Sequence, residues 1–260
     1  MNKKYTTLSK KELELLESLI KQYGNVVDFA LISKELNTSS KQIIKNLVSS
    51  LIKKGWLVRI KKGTFFISDI SGRGLIDLNQ LTIAQLLIKD SYISFEAALQ
   101  YYGLFDQYLS KIYSISNTRK SKKEFKDWKY VFCKTKKGLY GGFKEFNMDG
   151  YLIKIASKEK AIIDFLIYRR TIQNMDLVLE KLKEHKNDFD FKLMISLASD
   201  SSIVVKRSLG FLFDLVGIDS SELHKQIEKR RDYSLLCNKK EIFNAKWRIY
   251  IDKYFKKYVK

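Results

Sequence analysis

The sequence predicts an α+β protein built from two domains, and three observations lead to this prediction. The first 68 of its 260 residues contain three segments with helical spacing of apolar side chains, followed by two short β-rich runs. Residues 69–80, DISGRGLIDLNQ, hold two glycines and few large apolar side chains, which is typical of a domain boundary. Helical and strand-like runs then alternate to the end of the chain. The predicted domains cover residues 1–70 and 80–260.

The first two predicted helices have recognisable ends. Ser9, with Glu12 three positions later, has the pattern of a capping box, and apolar residues recur at helical spacing from there to Gly24. Asp28 is the predicted N-cap of a short second helix, FALISKELN. The polar segment NTSS then predicts a tight break before a third helix.

The third predicted helix has an apolar side and a narrow polar strip. At roughly 100° per residue, the apolar side comprises Ile43, Ile44, Leu47, Val48, Leu51 and Ile52. The polar strip comprises Gln42, Lys45, Asn46, Ser49 and Lys53. Ser39 followed by Gln42 predicts a capping box, and Gly55 predicts the helix end. Because many amphipathic helices expose a polar face that recognises nothing, the neighbouring elements must decide what the strip does.

The next two runs, residues 56–60 and 64–68, predict a β-hairpin with the basic turn Lys61-Lys62-Gly63. Three helices followed by a hairpin is the order of a winged helix-turn-helix. In that arrangement the third helix enters the major groove of DNA and the hairpin tip reaches the neighbouring backbone. Residues 1–68 also carry 13 Lys or Arg against 5 Asp or Glu. The sequence therefore predicts a DNA-binding first domain, with contact to a protein as the alternative.

The polar strip carries side chains suited to bases and phosphates. Gln42 and Asn46 can each pair with adenine, and Lys45 can reach guanine or a phosphate. Thr38 and Ser39 stand at a helix start, where phosphates bind. The predicted contacts with double-stranded DNA are Thr38, Ser39, Lys41, Gln42, Lys45, Asn46, Ser49, Lys61, Lys62 and Thr64.

The densest charge outside the first domain lies in residues 117–137, with nine Lys or Arg against two acidic residues. Four of its side chains would follow a phosphate backbone and lengthen the DNA footprint, namely Arg119, Lys120, Lys122 and Lys123. The alternative for this segment is a solvated, mobile loop.

The predicted second domain mixes helix and sheet. Helices are indicated by LTIAQLLIKD, SYISFEAALQYYGL and SKEKAIIDFLIYRR, and by a helical extension over residues 175–231 with breaks near Asp188, Asp200 and Asp219. Strands are indicated by KIYSIS, KYVFCK and GYLIKIA, and a last strand pair by YSLLCN with AKWRIYID. The tail KYFKKYVK is basic and either helical or frayed.

The formal net charge of +20 favours a polyanionic partner such as DNA or RNA. Cys133 and Cys237 stand too far apart in sequence for a zinc pattern or a disulfide framework. The N-terminus lacks the apolar core of a signal peptide, and no run reaches the roughly 18 apolar residues that a membrane span requires. We therefore expect a soluble cytoplasmic protein with no membrane partner.

Enzyme motifs are weak throughout the chain. Asp127 and Lys129 have the acid-x-lysine spacing of many metal-dependent nucleases, but the sequence upstream offers no convincing acidic partner, and such triplets arise by chance. GLYGGF lacks the lysine of a phosphate-binding loop, and His185 and His224 lie far from any cysteine. Asp164 is expected to be a hydrogen-bond or ion-pair partner on its helix. The expectation is a protein that is not an enzyme and that holds no cofactor or metal.

Three segments behind the predicted winged helix, SYISFEAALQYYGL, IKIASKEKAIIDFLIYRR and KRSLGFLFDLVG, resemble in order and pattern the AbiEi family of antitoxins from bacterial type IV toxin–antitoxin systems. The resemblance spans residues 9–217, and the chain extends beyond the compact form of that family. It implies a transcriptional repressor that binds inverted repeats in its own promoter, with residues 39–46 as the start of the recognition helix and residues 61–64 as the wing. It also implies that the second domain counteracts a nucleotidyltransferase toxin, in a module for abortive infection and phage defence.

Two other functions fit the same sequence. One is a protein-interaction module whose basic surface neutralises an acidic partner directly. The other is a nuclease targeted to DNA by the winged helix, for which Asp127 would be required.

Overall fold

The computed structural model describes residues 7–69, 74–118 and 120–259. Its helices and mixed sheets confirm the α+β class. The chain divides into two units, the first being Met1–Lys89 with Asn147–Leu152 and the second Asp90–Phe146 with Ile153–Lys260. Within the described ranges, no helix combines the length and the apolar character needed to cross a membrane.

In its described residues, the first unit contains four helices and a three-stranded antiparallel sheet in the order β1-β3-β2. Its elements are α1 (Lys10–Tyr23), β1 (Val26–Asp28), α2 (Phe29–Glu35), α3 (Lys41–Lys54), β2 (Leu57–Lys61), β3 (Thr64–Ile67) and α4 (Gln80–Leu87). The predicted helices and hairpin are therefore present. Strand β1 was not predicted from the sequence. Its three residues form a strand by pairing with β3, with Val26 opposite Phe66 and Asp28 opposite Thr64.

The predicted N-terminal caps of α1 and α2 are both present. Ser9 and Glu12 form a reciprocal capping box, and the Asp28 carboxylate accepts hydrogen bonds from the backbone N–H groups of Ala30 and Leu31. Glu12 also accepts from the Lys54 ammonium at 2.6 Å, which joins the start of α1 to the end of α3. Between these helices and the sheet lies one apolar core, formed by Leu15, Leu16, Leu19, Val27, Ile32, Ile44, Val48, Leu51, Leu57, Phe65 and Ile67.

Helix α3 differs from its prediction in two respects. Its N-cap is Ser40 rather than Ser39, and the Ser39–Gln42 capping box is wrong because the Gln42 amide instead donates to Asn46. Ile43 is 56 % exposed instead of buried, because it lies at the edge of the apolar side. The helix ends as predicted at Gly55, whose φ of +83° is the left-handed conformation that glycine adopts without strain.

The second unit is built around a six-stranded sheet in the order β6-β7-β5-β4-β9-β8, with β5 parallel to β7 and β4 parallel to β9. The strands are β4 (Ser91–Ile93), β5 (Lys111–Ser116), β6 (Ser121–Phe125), β7 (Trp128–Lys134), β8 (Phe143–Met148) and β9 (Tyr151–Ala156). The turn between β8 and β9 is counted with the first unit. The helices are α5 (Phe95–Tyr101), α6 (Lys158–Tyr168), α7 (Ile172–Glu184), α8 (Phe191–Ser199), α9 (Ile203–Val216) and α10 (Ser221–Lys225).

The end of the chain forms a second, smaller sheet in the order β10-β12-β11. Its strands are β10 (Ser234–Leu235), β11 (Ile242–Asn244) and β12 (Ile249–Ile251), and a 3₁₀ helix, Lys253–Tyr258, follows. The predicted strand pair is thus β10 with β12, and β11 is an addition. Trp247 fixes this sheet to α9: it is fully buried, its ring lies over Gly210, and its Nε1 donates to Asp214 at 2.7 Å.

A buried polar cluster stands between the large sheet and α6. Asp164, which is fully buried, forms an ion pair with Lys160 one turn earlier. It also accepts hydrogen bonds from the Ser94 hydroxyl at 2.7 Å and the Tyr92 hydroxyl at 3.1 Å. Asp164 is therefore an ion-pair partner, as the sequence predicts.

Candidate nucleic-acid interface

The polar strip of α3 is open to solvent. Gln42, Lys45, Asn46 and Ser49 are all exposed, while Ile44, Val48 and Leu51 on the other side are buried in the core. The structure therefore brings four of the predicted contact residues onto one exposed face of a single helix, over two turns.

Gln42 and Asn46 hold each other in place on this face. Gln42 Nε2 donates a hydrogen bond to Asn46 Oδ1 at 2.8 Å, as side chains four residues apart on a helix can do. This bond leaves the Gln42 carbonyl oxygen as an acceptor and the Asn46 amino group as a donor. An acceptor next to a donor matches the N6 and N7 edge of adenine in the major groove.

The start of α3 presents backbone donors. The N-cap residue, Ser40, makes no side-chain capping bond, so the first-turn N–H groups have no side-chain acceptor from it. Lys41 and Ser39 are exposed beside them, whereas the Thr38 hydroxyl already accepts from the Ser40 N–H at 3.3 Å. Ser39 and Lys41 are thus placed for a phosphate at the helix start, and Thr38 acts in the turn that precedes it.

The hairpin turn separates its two lysines. Lys62 is exposed beside Gly63, whose φ of +81° makes the tight turn possible. Lys61 is different, because its ammonium donates to the carbonyl oxygen of Leu86 at 2.6 Å, in the last turn of α4. A cation at a helix C-terminus stabilises the carbonyl groups there. The Lys61 ammonium is thus held inside the protein, and Lys62 is the exposed lysine of the hairpin turn. Thr64 is half-buried at the start of β3.

Sequence reasoning did not single out Arg59. It is exposed on β2, and its guanidinium lies 5.7 Å from the centre of the Phe65 ring, which is buried. Alternation of side chains along β2 gave no signal for it, because Leu57 and Arg59 are two positions apart and should share a face, yet Leu57 is buried and Arg59 is exposed. The register of β2 shifts just after Arg59. Arg59 adds a positive charge to the hairpin.

Within the basic segment 117–137, residues 121–134 form a hairpin instead of a loop. Strands β6 and β7 pair antiparallel, with Lys122 opposite Val131 and Glu124 opposite Lys129. Lys120, Lys122 and Lys123 are exposed, but Lys122 and Lys123 follow one another in a strand and so point to opposite faces. Arg119 lies outside the described residues. The predicted row of phosphate contacts is thus divided between two faces.

The acid-x-lysine motif lies in the hairpin of β6 and β7. Asp127 lies in the turn between β6 and β7, and Lys129 lies opposite Glu124 in the strand pair. Across the described part of the chain, no three His, Cys, Asp or Glu side chains come together as a metal site would require.

Comparison with protein-family models gives no match, and comparison with curated proteins gives none either. Among solved structures, the fold is similar to that of the RV2827C protein from Mycobacterium tuberculosis, with a TM-score of 0.65. The alignment covers 95% of this chain and 92% of that chain at 12% sequence identity. At this identity the likeness concerns the fold of nearly the whole chain and carries no function with it.

Proposed function

We propose that the first unit is a winged helix-turn-helix that binds double-stranded DNA, and that the protein represses transcription from its own promoter. The observation that carries this proposal is the exposed polar strip of α3 beside a hairpin with a basic turn. In this arrangement α3 enters the major groove, and Lys62 and Arg59 of the hairpin contact the neighbouring phosphates.

The strip favours a site with A·T pairs. The linked amides of Gln42 and Asn46 offer one acceptor and one donor to adenine, and Lys45 reaches guanine or a phosphate. Ile43, exposed at the edge of the strip, supplies an apolar contact for the methyl group of thymine. Neighbouring adenine and thymine contacts of this kind would define a short half-site.

Charge supplies most of the affinity in this proposal. The excess of Lys and Arg in residues 1–68 attracts phosphates whatever the base sequence, so binding weakens steeply as salt is raised. Specificity then depends on the few side chains that reach base edges, and the two contributions can be measured separately.

The antitoxin role of the second unit is a further part of the proposal. It is supported by the three segments that resemble the AbiEi antitoxins, which imply a partner toxin of the nucleotidyltransferase class. Direct neutralisation of an acidic protein partner is the competing function, and the exposed Ile43 would also suit such a contact. Co-purification of antitoxin and toxin without DNA would favour direct neutralisation, whereas growth rescue without co-purification would favour indirect antagonism.

Footprinting on the DNA upstream of the protein's own gene tests the DNA-binding proposal. We expect protection of a repeated sequence by the natural protein and its loss in the double variant Lys45→Ala/Asn46→Ala. Lys11→Ala, which removes an exposed lysine from α1, is the control and should keep the footprint. Identical protection by the double variant would overturn the proposal.

A further inference from the structure

The small sheet at the end of the chain has an unusual outer face. Its inner face is buried through Ser234, Ile249 and Ile251. Its outer face carries aromatic rings at the positions where a half-exposed antiparallel strand pair ordinarily carries polar residues. Phe243 and Tyr250 are direct cross-strand partners, and Tyr233 stands beside them just before β10. These three residues are called the aromatic face below.

The rings of the aromatic face form one connected group. The centre of the Tyr250 ring lies 5.0 Å from that of Phe243 and 5.3 Å from that of Tyr233. Phe243 is 44 % exposed and Tyr233 is 50 % exposed, so both offer ring surface to solvent. Exposed apolar surface that is contiguous, and not scattered singly, is a feature of binding sites.

Basic residues adjoin the aromatic face in sequence, and one of them contacts its rings. The Lys240 ammonium lies 4.4 Å from the centre of the Tyr233 ring and donates to the Tyr233 hydroxyl. Residues 229–231 are Lys-Arg-Arg and residues 239–240 are Lys-Lys, and all five side chains are exposed. Three carboxylates adjoin these residues in sequence. Asp232 is paired with the buried Arg207 at 3.2 Å, and Glu241 lies 4.0 Å from the Lys239 ammonium. Together with the exposed Glu228, they are outnumbered by the basic side chains. The rim of the aromatic face is thus positively charged.

We propose that the aromatic face binds single-stranded nucleic acid, with unstacked bases on Phe243 and its neighbours and phosphates on the lysine and arginine rim. Rings stack on the flat face of any base, and cations follow the sugar-phosphate backbone, so this combination suits an unpaired strand. A duplex hides its base faces and therefore cannot use the rings. This site is separate from the α3 strip and does not depend on it.

Fluorescence anisotropy with the full chain tests the proposal against a charge-matched probe. The three probes are a 12-nucleotide oligo(U) RNA, oligo(dT) of the same length, and an abasic strand with the same number of phosphates. We expect at least one base-bearing strand to bind about tenfold more tightly than the abasic strand, because base stacking on the rings adds to the electrostatic attraction of the phosphates. Preference for oligo(U) identifies RNA as the ligand, and preference for oligo(dT) identifies DNA.

Variants at one position separate stacking from packing. Phe243→Ala should weaken binding of the preferred strand by about five- to one-hundred-fold, and leave the abasic strand unchanged. Phe243→Trp should keep the affinity, and Phe243→Leu, which is apolar without a ring, should not. Tyr108→Ala is the control, because Tyr108 is 82 % exposed and lies outside the aromatic face.

Two results would overturn the proposal. The first is equal affinity for the abasic and base-bearing strands. The second is natural affinity in Phe243→Leu, which would show that stacking on the ring does not contribute to binding. Lys45→Ala/Asn46→Ala should leave oligonucleotide binding intact, so failure of this inference and failure of the operator proposal give different results.

Discussion

Two exposed surfaces of this protein differ in the kind of side chain that they present. The α3 strip is a row of hydrogen-bonding side chains on a helix whose other side is core. The aromatic face is a group of rings on a sheet whose outward positions would normally be polar. Hydrogen-bonding groups on a helix suit base edges in a duplex groove, whereas rings suit the faces of unpaired bases. The two proposals therefore concern different nucleic-acid interactions, which substitutions can separate.

The two surfaces are also held in place by different packing interactions. Helix α3 rests on an apolar core and on the Glu12–Lys54 ion pair at its end. The aromatic face belongs to a sheet that is attached to α9 through Trp247, in a unit that also contains the buried Lys160–Asp164 pair. Substitutions in these two sets of interactions should therefore affect different surfaces and lower the free energy of unfolding by different amounts.

The largest expected effect is that of Asp164→Ala. This substitution leaves the Lys160 ammonium, whose side chain is 5 % exposed, without its carboxylate. Breaking a buried ion pair from one side costs about 3–5 kcal/mol. Urea unfolding of the full chain should show that loss in the second unit, whereas Asp106→Ala, at an exposed carboxylate, should change the free energy of unfolding by less than about 0.5 kcal/mol. A cost below about 1 kcal/mol for Asp164→Ala would contradict the role given to the pair.

The next effect is that of Gly210→Ala in α9. Alanine favours a helix interior over glycine by about 1 kcal/mol. Here a Cβ would lie 2.1 Å from a carbon of the buried Trp247 ring, so the clash should dominate and cost about 3 kcal/mol. The variant should lose oligonucleotide binding and keep operator binding, measured by anisotropy with the two probes. Gly138→Ala is the control, because a Cβ there meets no atom within 4 Å. Stability equal to that of the natural protein would show that Trp247 does not anchor the sheet.

The smallest effect is that of Glu12→Gln, and it should depend on pH. Burial tends to raise the pKa of Glu12, but the hydrogen bonds from Lys54 and Ser9 outweigh it and hold that pKa below its ordinary value of 4.5. Because the folded state binds the proton less tightly, the stabilisation is present above the ordinary pKa and is lost as the pH falls through the lower folded value. At pH 7 the variant should be less stable by about 1–2 kcal/mol.

Denaturant unfolding at a series of pH values checks this prediction. The difference between the natural protein and Glu12→Gln should shrink towards zero below the folded pKa. Glu14→Gln is the control, since Glu14 is exposed and its contact with Lys10 is 3.9 Å long. A difference that stays constant between pH 7 and pH 3 would show that the carboxylate charge contributes nothing.

Local signals in the sequence were sufficient for much of the first unit. Ser9, Asp28 and Gly55 determine where helices begin or end through side chains or backbone angles within three residues of the boundary. The apolar spacing of α3 likewise placed the polar strip correctly. Such features depend on neighbours in sequence and are accessible without coordinates.

Features that depend on distant partners were not accessible in this way. The Lys61 ammonium is held by the end of α4, about 25 residues further on, so its position in a basic turn was misleading. The lysine-rich β6 has few residues that favour strands, and it forms because β7 offers a pairing edge. The pairing of Phe243 with Tyr250 follows from the register of two three-residue strands, which no local pattern gives.

The most direct test of the account is a gel shift that compares affinity for the protein's own promoter duplex with affinity for a scrambled duplex of the same composition. The natural protein and Lys11→Ala should prefer the promoter by a large factor. Lys45→Ala/Asn46→Ala should bind both duplexes with the same residual, salt-sensitive affinity, because its phosphate contacts remain and its base contacts are gone. Unchanged preference for the promoter in the double variant would contradict the claim that the α3 strip reads the DNA sequence.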